Sequence, residues 1–134
     1  MANLMNAMQK SLLDWMLLGA SPARPAGCFC GLSLSAPTSA ASNEVATGSG
    51  YARQTGSFAA AITASGNVGS ASNQAAMTFG PFSSSAVING LFLADTVSSA
   101  AGTGIMFGNL SVVRTPLAGD SLVLAIGALS VTIS

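Results

Sequence analysis

Glu44 and Arg53 are the charged residues nearest to a recognisable motif. They flank Gly48-Ser49-Gly50-Tyr51, and a hairpin-like return between them would bring a carboxylate to a guanidinium. A catalytic Glu needs a partner acid or base, and none stands near this one in the sequence. An Arg–carboxylate pair needs nothing further and locks a loop. The Gly48–Tyr51 run imitates a phosphate loop. It lacks the full glycine spacing, no Lys follows it, and no helix is expected after it. Its glycines read instead as a positive-φ turn.

Other groups that could do chemistry are few. The 134 residues carry Lys10, Arg24, Arg53 and Arg114 against Asp14, Glu44, Asp95 and Asp120, and no His. Asp95 and Asp120 sit beside turn-forming residues, where a carboxylate bonds backbone amides. Calcium asks for six to eight oxygen ligands, and no Asp/Asn-rich loop offers them. Ser is abundant, but a nucleophilic Ser needs a base. Cys28 and Cys30, two apart on a strand, point to one face. Two thiolates do not complete a zinc site, and a disulfide at this spacing is strained. They read as free thiols of a chain made in a reducing cytoplasm. Four basic residues at zero net charge cannot track phosphates, so no nucleic-acid partner is expected. No enzyme, cofactor or metal site is expected either.

The elements that must position these residues are short. Ala (24), Ser (20) and Gly (15) make up more than two fifths of the chain, and only 6% is charged. Half is hydrophobic, enough for one core built of Leu, Ile, Val, Met and Ala. The apolar stretches 11–20 and 121–129 are too short to span a bilayer, and Asp14 interrupts the first. The same Asp14 and short apolar run argue against a signal peptide. No membrane partner is expected.

Residues 3–18 predict an amphipathic helix capped by Asn3. Leu4, Met8, Leu12 and Trp15 fall on one stripe, which Met5, Leu13, Met16 and Leu17 widen. Lys10 and Asp14 stand four apart, Gly19 ends the helix, and Pro22 and Pro25 forbid its continuation. Such a helix is too apolar to lie bare in water. From residue 26 the pattern changes to strands and turns. Strands are expected over 28–35, 51–61, 75–79, 87–94 (apolar on both faces, hence central), 105–114 and 121–133, the last with a bulge at Gly127. Loops or turns are expected at 36–50, 63–72, 98–103 and 118–120. The chain thus divides into an N-terminal helical arm and Pro-containing link, 1–25, and an antiparallel β domain, 26–134. The fold class is all-β, a β-sandwich or jelly-roll-like domain with an N-terminal amphipathic helix.

The order of features also resembles a known family. Ser11-Leu12-Leu13-Asp14 precedes Leu17-Leu18-Gly19. Then come Asn43-Glu44-Val45 with Gly48-Ser49-Gly50-Tyr51-Ala52-Arg53-Gln54, Gly90-Leu91-Phe92-Leu93-Ala94-Asp95, and Pro116-Leu117-Ala118-Gly119-Asp120. This arrangement resembles small tailed-bacteriophage virion proteins often labelled tail-fibre-like, over nearly the whole chain. The 43–54 run is its most specific piece. Relatives often show His-Thr-Ala-Asp-Pro after Leu32, where this chain has Ser33–Pro37, so no site built on that His carries over.

The resemblance implies a structural protein of a virus particle, located in the virion and made in the bacterial cytoplasm. The chain is short, without a coiled-coil repeat or an extended shaft. That favours a capsid decoration, or cement, protein on the capsid surface, self-associating as a homotrimer and contacting the major capsid protein. Leu4, Met8, Leu12 and Trp15 would form its assembly interface. The alternative is a tail fibre or tail-tip protein involved in host attachment.

Overall fold

The computed structural model describes residues 3–46, 48–64, 68–98 and 102–133. Among these residues, two of strand, β1 (Asn3–Leu4), precede a single helix, α1 (Asn6–Leu18). Nine strands follow: β2 (Phe29–Ser33), β3 (Gln54–Thr55), β4 (Ile62–Ala64), β5 (Val68–Ser72), β6 (Met77–Phe79), β7 (Ile88–Ala94), β8 (Gly104–Arg114), β9 (Leu122–Leu124) and β10 (Ser130–Ile133). They form three antiparallel sheets, ordered β1-β8-β7-β2-β3, β10-β5-β4 and β6-β9. The chain is therefore all-β with one N-terminal helix, as its patterning predicts.

β7 is the centre of the five-stranded sheet, and its apolar run is buried on both faces. Leu91 and Leu93 face the main core with Cys30, Leu32 and Met106. Opposite them pack Met77, Phe79, Phe82, Val45 and Tyr51. Burying each such aliphatic side chain stabilises the fold by about 1.5–3 kcal/mol. On the other face Phe92 and Ala94 pack with Met5 and the partly buried Phe107. Two-sided burial explains why this strand lacks alternation.

The helix starts later than its apolar spacing predicts. Asn3 is not a cap: it pairs with Phe107, and Leu4 pairs with Met106. Met5 takes the N-cap position with no side-chain cap bond, and the Gln9 amide reaches back to the Leu4 carbonyl. Strand pairing at the sheet edge and burial of Met5 override the local preference of Asn for a helix start. Gly19, at φ 68°, closes the helix in the left-handed conformation.

Three further differences have local causes. The Ser/Gly-rich stretch 63–72 predicts a turn, yet Ile62–Ala64 and Val68–Ser72 pair as strands. Its small residues carry a weak pattern, and β10 supplies the pairing from about 60 residues away, with Ser70 and Ser130 hydroxyls 3.2 Å apart. The strand expected over 121–133 is two strands from different sheets. Gly127, at φ 75°, makes a turn between them rather than a bulge. The stretch 51–61 forms only Gln54–Thr55 and a bridge from Phe58 to Asn73. A real bulge lies in β8. Gly90 pairs with Asn109 and Ile88 with Arg114, so residues 110–113 stand opposite Asn89 alone. The tip expected at 98–103 falls partly on residues 99–101, outside the described residues.

Candidate functional site

The polar centre of the molecule is built where the 36–50 loop returns to β2. The Leu34 N–H donates to the Asn43 carbonyl (2.9 Å) and the Val45 N–H to the Leu32 carbonyl (3.0 Å). Asn43 takes a left-handed backbone, φ 50°, which Asn tolerates better than most residues. Glu44 is thereby bridged to Ser33 beside the sheet. Tyr51 follows the Gly48–Gly50 turn and stacks on Phe79, ring centroids 6.2 Å apart. Its hydroxyl accepts the Leu32 N–H (3.0 Å) and donates to Glu44 Oε1 (2.9 Å).

Arg53 completes the group. Its Nε donates to Glu44 Oε1 and its Nη2 to Glu44 Oε2, both at 2.8 Å. Its Nη1 donates to the Thr96 carbonyl at 2.9 Å. The guanidinium lies 5.1 Å from the centroid of Phe92, a cation–π contact. The two side chains of the ion pair are only 6% and 10% exposed. The bond to Glu44 holds the Arg53 proton more tightly than usual, and burial pushes the Tyr51 phenol well up. Both Glu44 oxygens are engaged in this geometry. The arrangement fastens the loop, β3 and the 95–98 segment to the sheet.

Two other carboxylates also serve the fold. Asp95 accepts the Thr103 N–H at 2.6 Å and Asp120 the Leu117 N–H at 2.9 Å, each closing a turn. Lys10 and Asp14 pair along the exposed side of α1. Cys28 is half-buried and Cys30 buried, both free. Burial pushes both thiols up, Cys30 to about 12. A cavity of about 100 Å³ between β7, β8 and β10 is lined mainly by Leu91, Leu93, Met106, Leu129 and Val131, with no charged group. Among the described residues no cluster of His, Cys, Asp and Glu could hold a metal, and no helix is long and apolar enough to cross a membrane.

The structure separates the four residues of the apolar stripe. Leu4 is in β1 and packs on the main core. Met8 and Leu12 are half-buried on α1, a helix that packs against β8. Trp15 is exposed, together with Leu13, Met16, Leu17 and Leu18. Sequence reasoning missed Asn73. Its side-chain amide donates to the carbonyls of Ala75 and Ala125 (both 2.9 Å), and its oxygen accepts the Leu129 N–H (2.9 Å). Its backbone bonds Leu129 and Gly127 as well. One buried residue thus pins the β9–β10 turn to the end of β5. Apart from Ala75, these partners lie more than 50 residues away, so no local pattern announces them.

Fold and site together define an all-β structural domain whose buried polar groups hold its own loops in place. A protein-family comparison gives the class a particular identity: residues 3–132 match the family described as "Podophage GP4 fiber I protein gp80". The chain belongs to that family and is a bacteriophage virion structural protein of fibre type. No curated protein matches it.

Proposed function

We propose that the chain is a non-enzymatic building unit of a fibre on a podophage-type particle. The family match across nearly the whole chain carries this reading, because the family is described by a fibre. The internal chemistry supports it: Glu44, Tyr51 and Arg53 satisfy one another, and Asp95 and Asp120 close turns. Capsid decoration needs the same kind of rigid β domain, but the family description favours the fibre over a cement role contacting the major capsid protein. Attachment to the particle and self-association are its tasks, and host contact is assigned to the assembled fibre rather than to one catalytic residue.

A phage deleted for the gene and complemented in trans tests this. Deleted particles should package DNA, lose one set of projections in electron micrographs, and regain it with the wild-type chain. Absence of the chain from purified wild-type particles would sink the reading.

A further inference from the structure

The chain enters its domain by straddling a sheet edge. Leu4 and Met5 are neighbours, yet Leu4 packs on the main core and Met5 on the cluster of Phe92, Ala94 and Phe107 across the sheet. Their backbone pairs with β8: Asn3 with Phe107 and Leu4 with Met106, while the Met5 N–H donates to the Ile105 carbonyl at 3.0 Å. Met5 is 7% exposed, and its sulfur occupies the space that a side chain on Gly104 would need.

This short clip holds more than itself. Helix α1 has no buried residue, no side-chain cap bond at its start, no acidic residue in its first turn and no basic residue in its last. Past the clip, its apolar hold on the domain is the half-buried Met8 and Leu12. A helix of 13 residues is marginal alone in water, so α1 melts once the clip is unseated. Residues 19–24 follow it, exposed and outside any helix or strand, so its release does not pull on β2. The clip also covers an edge. β1 is the outermost strand of the five-stranded sheet, and β8 beneath it carries no charge from Gly104 to Val113. An uncovered strand edge without charged residues is a template for pairing with other chains. We propose that Asn3–Met5 is a clip guarding the β8 edge, and that clip and α1 release together, as one unit, while the rest of the domain stays folded.

Native-state hydrogen exchange of the full chain in sub-denaturing urea tests this. The Met5 N–H and the α1 amides should share one opening equilibrium, about a hundredfold more open than that of the β7 amides. Ile88→Val, in the core and away from the clip, should speed the β7 amides severalfold and leave the α1 amides unchanged, because Ile88 stays buried when the clip opens. Met5→Ala should speed the α1 amides about tenfold or more. One opening shared by α1 and β7 overturns the proposal. So do α1 amides that respond to Ile88→Val, or that ignore Met5→Ala. For the guard, Met5→Asp should keep its β signature in circular dichroism and associate as concentration rises, where the wild-type mass stays constant in light scattering. A constant mass for Met5→Asp overturns the guard, and loss of its β signature overturns the separate release.

Discussion

Phe92 occupies the space that a side chain on Gly31 would need. The two are direct cross-strand partners of β7 and β2, and a Cβ built on Gly31 would stand 2.2 Å from the Phe92 ring and 2.8 Å from the Tyr51 hydroxyl. The bare glycine lets the ring lie over the strand, where the Arg53 guanidinium covers it. Gly31→Ala should therefore lower stability by about 1–3 kcal/mol through overpacking. Urea unfolding checks this. An unchanged midpoint would mean that the ring moves aside freely.

The Glu44–Arg53 pair should be costly to break and cheap to replace. Glu44→Ala leaves a buried guanidinium without its carboxylate and should cost about 3–5 kcal/mol. Replacing both partners, with Glu44→Leu and Arg53→Met, should cost clearly less than the single change, because no buried charge is stranded. Chemical denaturation of the three chains compares them directly. A double variant as weak as Glu44→Ala would show that the hydrogen bonds to Tyr51 and Thr96, not the charge, dominate.

Asn73→Leu removes three side-chain hydrogen bonds at once and strands the Leu129 N–H with the Ala75 and Ala125 carbonyls. At about 1–3 kcal/mol per unsatisfied buried group, the loss should exceed about 3 kcal/mol. Limited proteolysis should then cut first in the 125–129 turn. Cleavage elsewhere with an intact turn would argue against Asn73 as its anchor.

Alkali should destabilise the chain through two groups in turn. Burial pushes the Cys30 thiol up from the ordinary 9.0 to about 12 and raises the Tyr51 phenol from its ordinary 10.0. In both cases the folded state keeps a proton that the unfolded state has lost. Stability is therefore complete below about pH 9 and falls as pH rises above it. Cys28→Ser with Cys30→Ala should move the onset to about pH 10, where Tyr51 takes over. Melting temperatures from pH 7 to 11 read this out, and an onset unmoved by the double substitution would contradict the assignment.

What the sequence revealed depended on how locally each feature is determined. The central strand was legible because Val87–Ala94 is apolar on both faces, and Glu44 and Arg53 because the glycine turn between them folds the chain back. The helix stripe was legible, but its start was not: Leu4 and Met5 are apolar enough for either state, yet β8 pairs with Leu4 as a strand and its Ile105 carbonyl takes the Met5 N–H. β5 was hidden because Val68–Ser72 is mostly Gly, Ser and Ala, and its strand identity comes from β10. Asn73 reads as one polar residue in a turn-like stretch, and only the fold brings 125–129 to it.

The fibre assignment is tested most directly by counting copies of this chain per purified virion, against the major capsid protein, by quantitative mass spectrometry. A fibre unit predicts a small number of copies in multiples of the assembly's symmetry, with antibody labelling confined to the projections. Hundreds of copies spread over the head would contradict it and make the chain a shell protein.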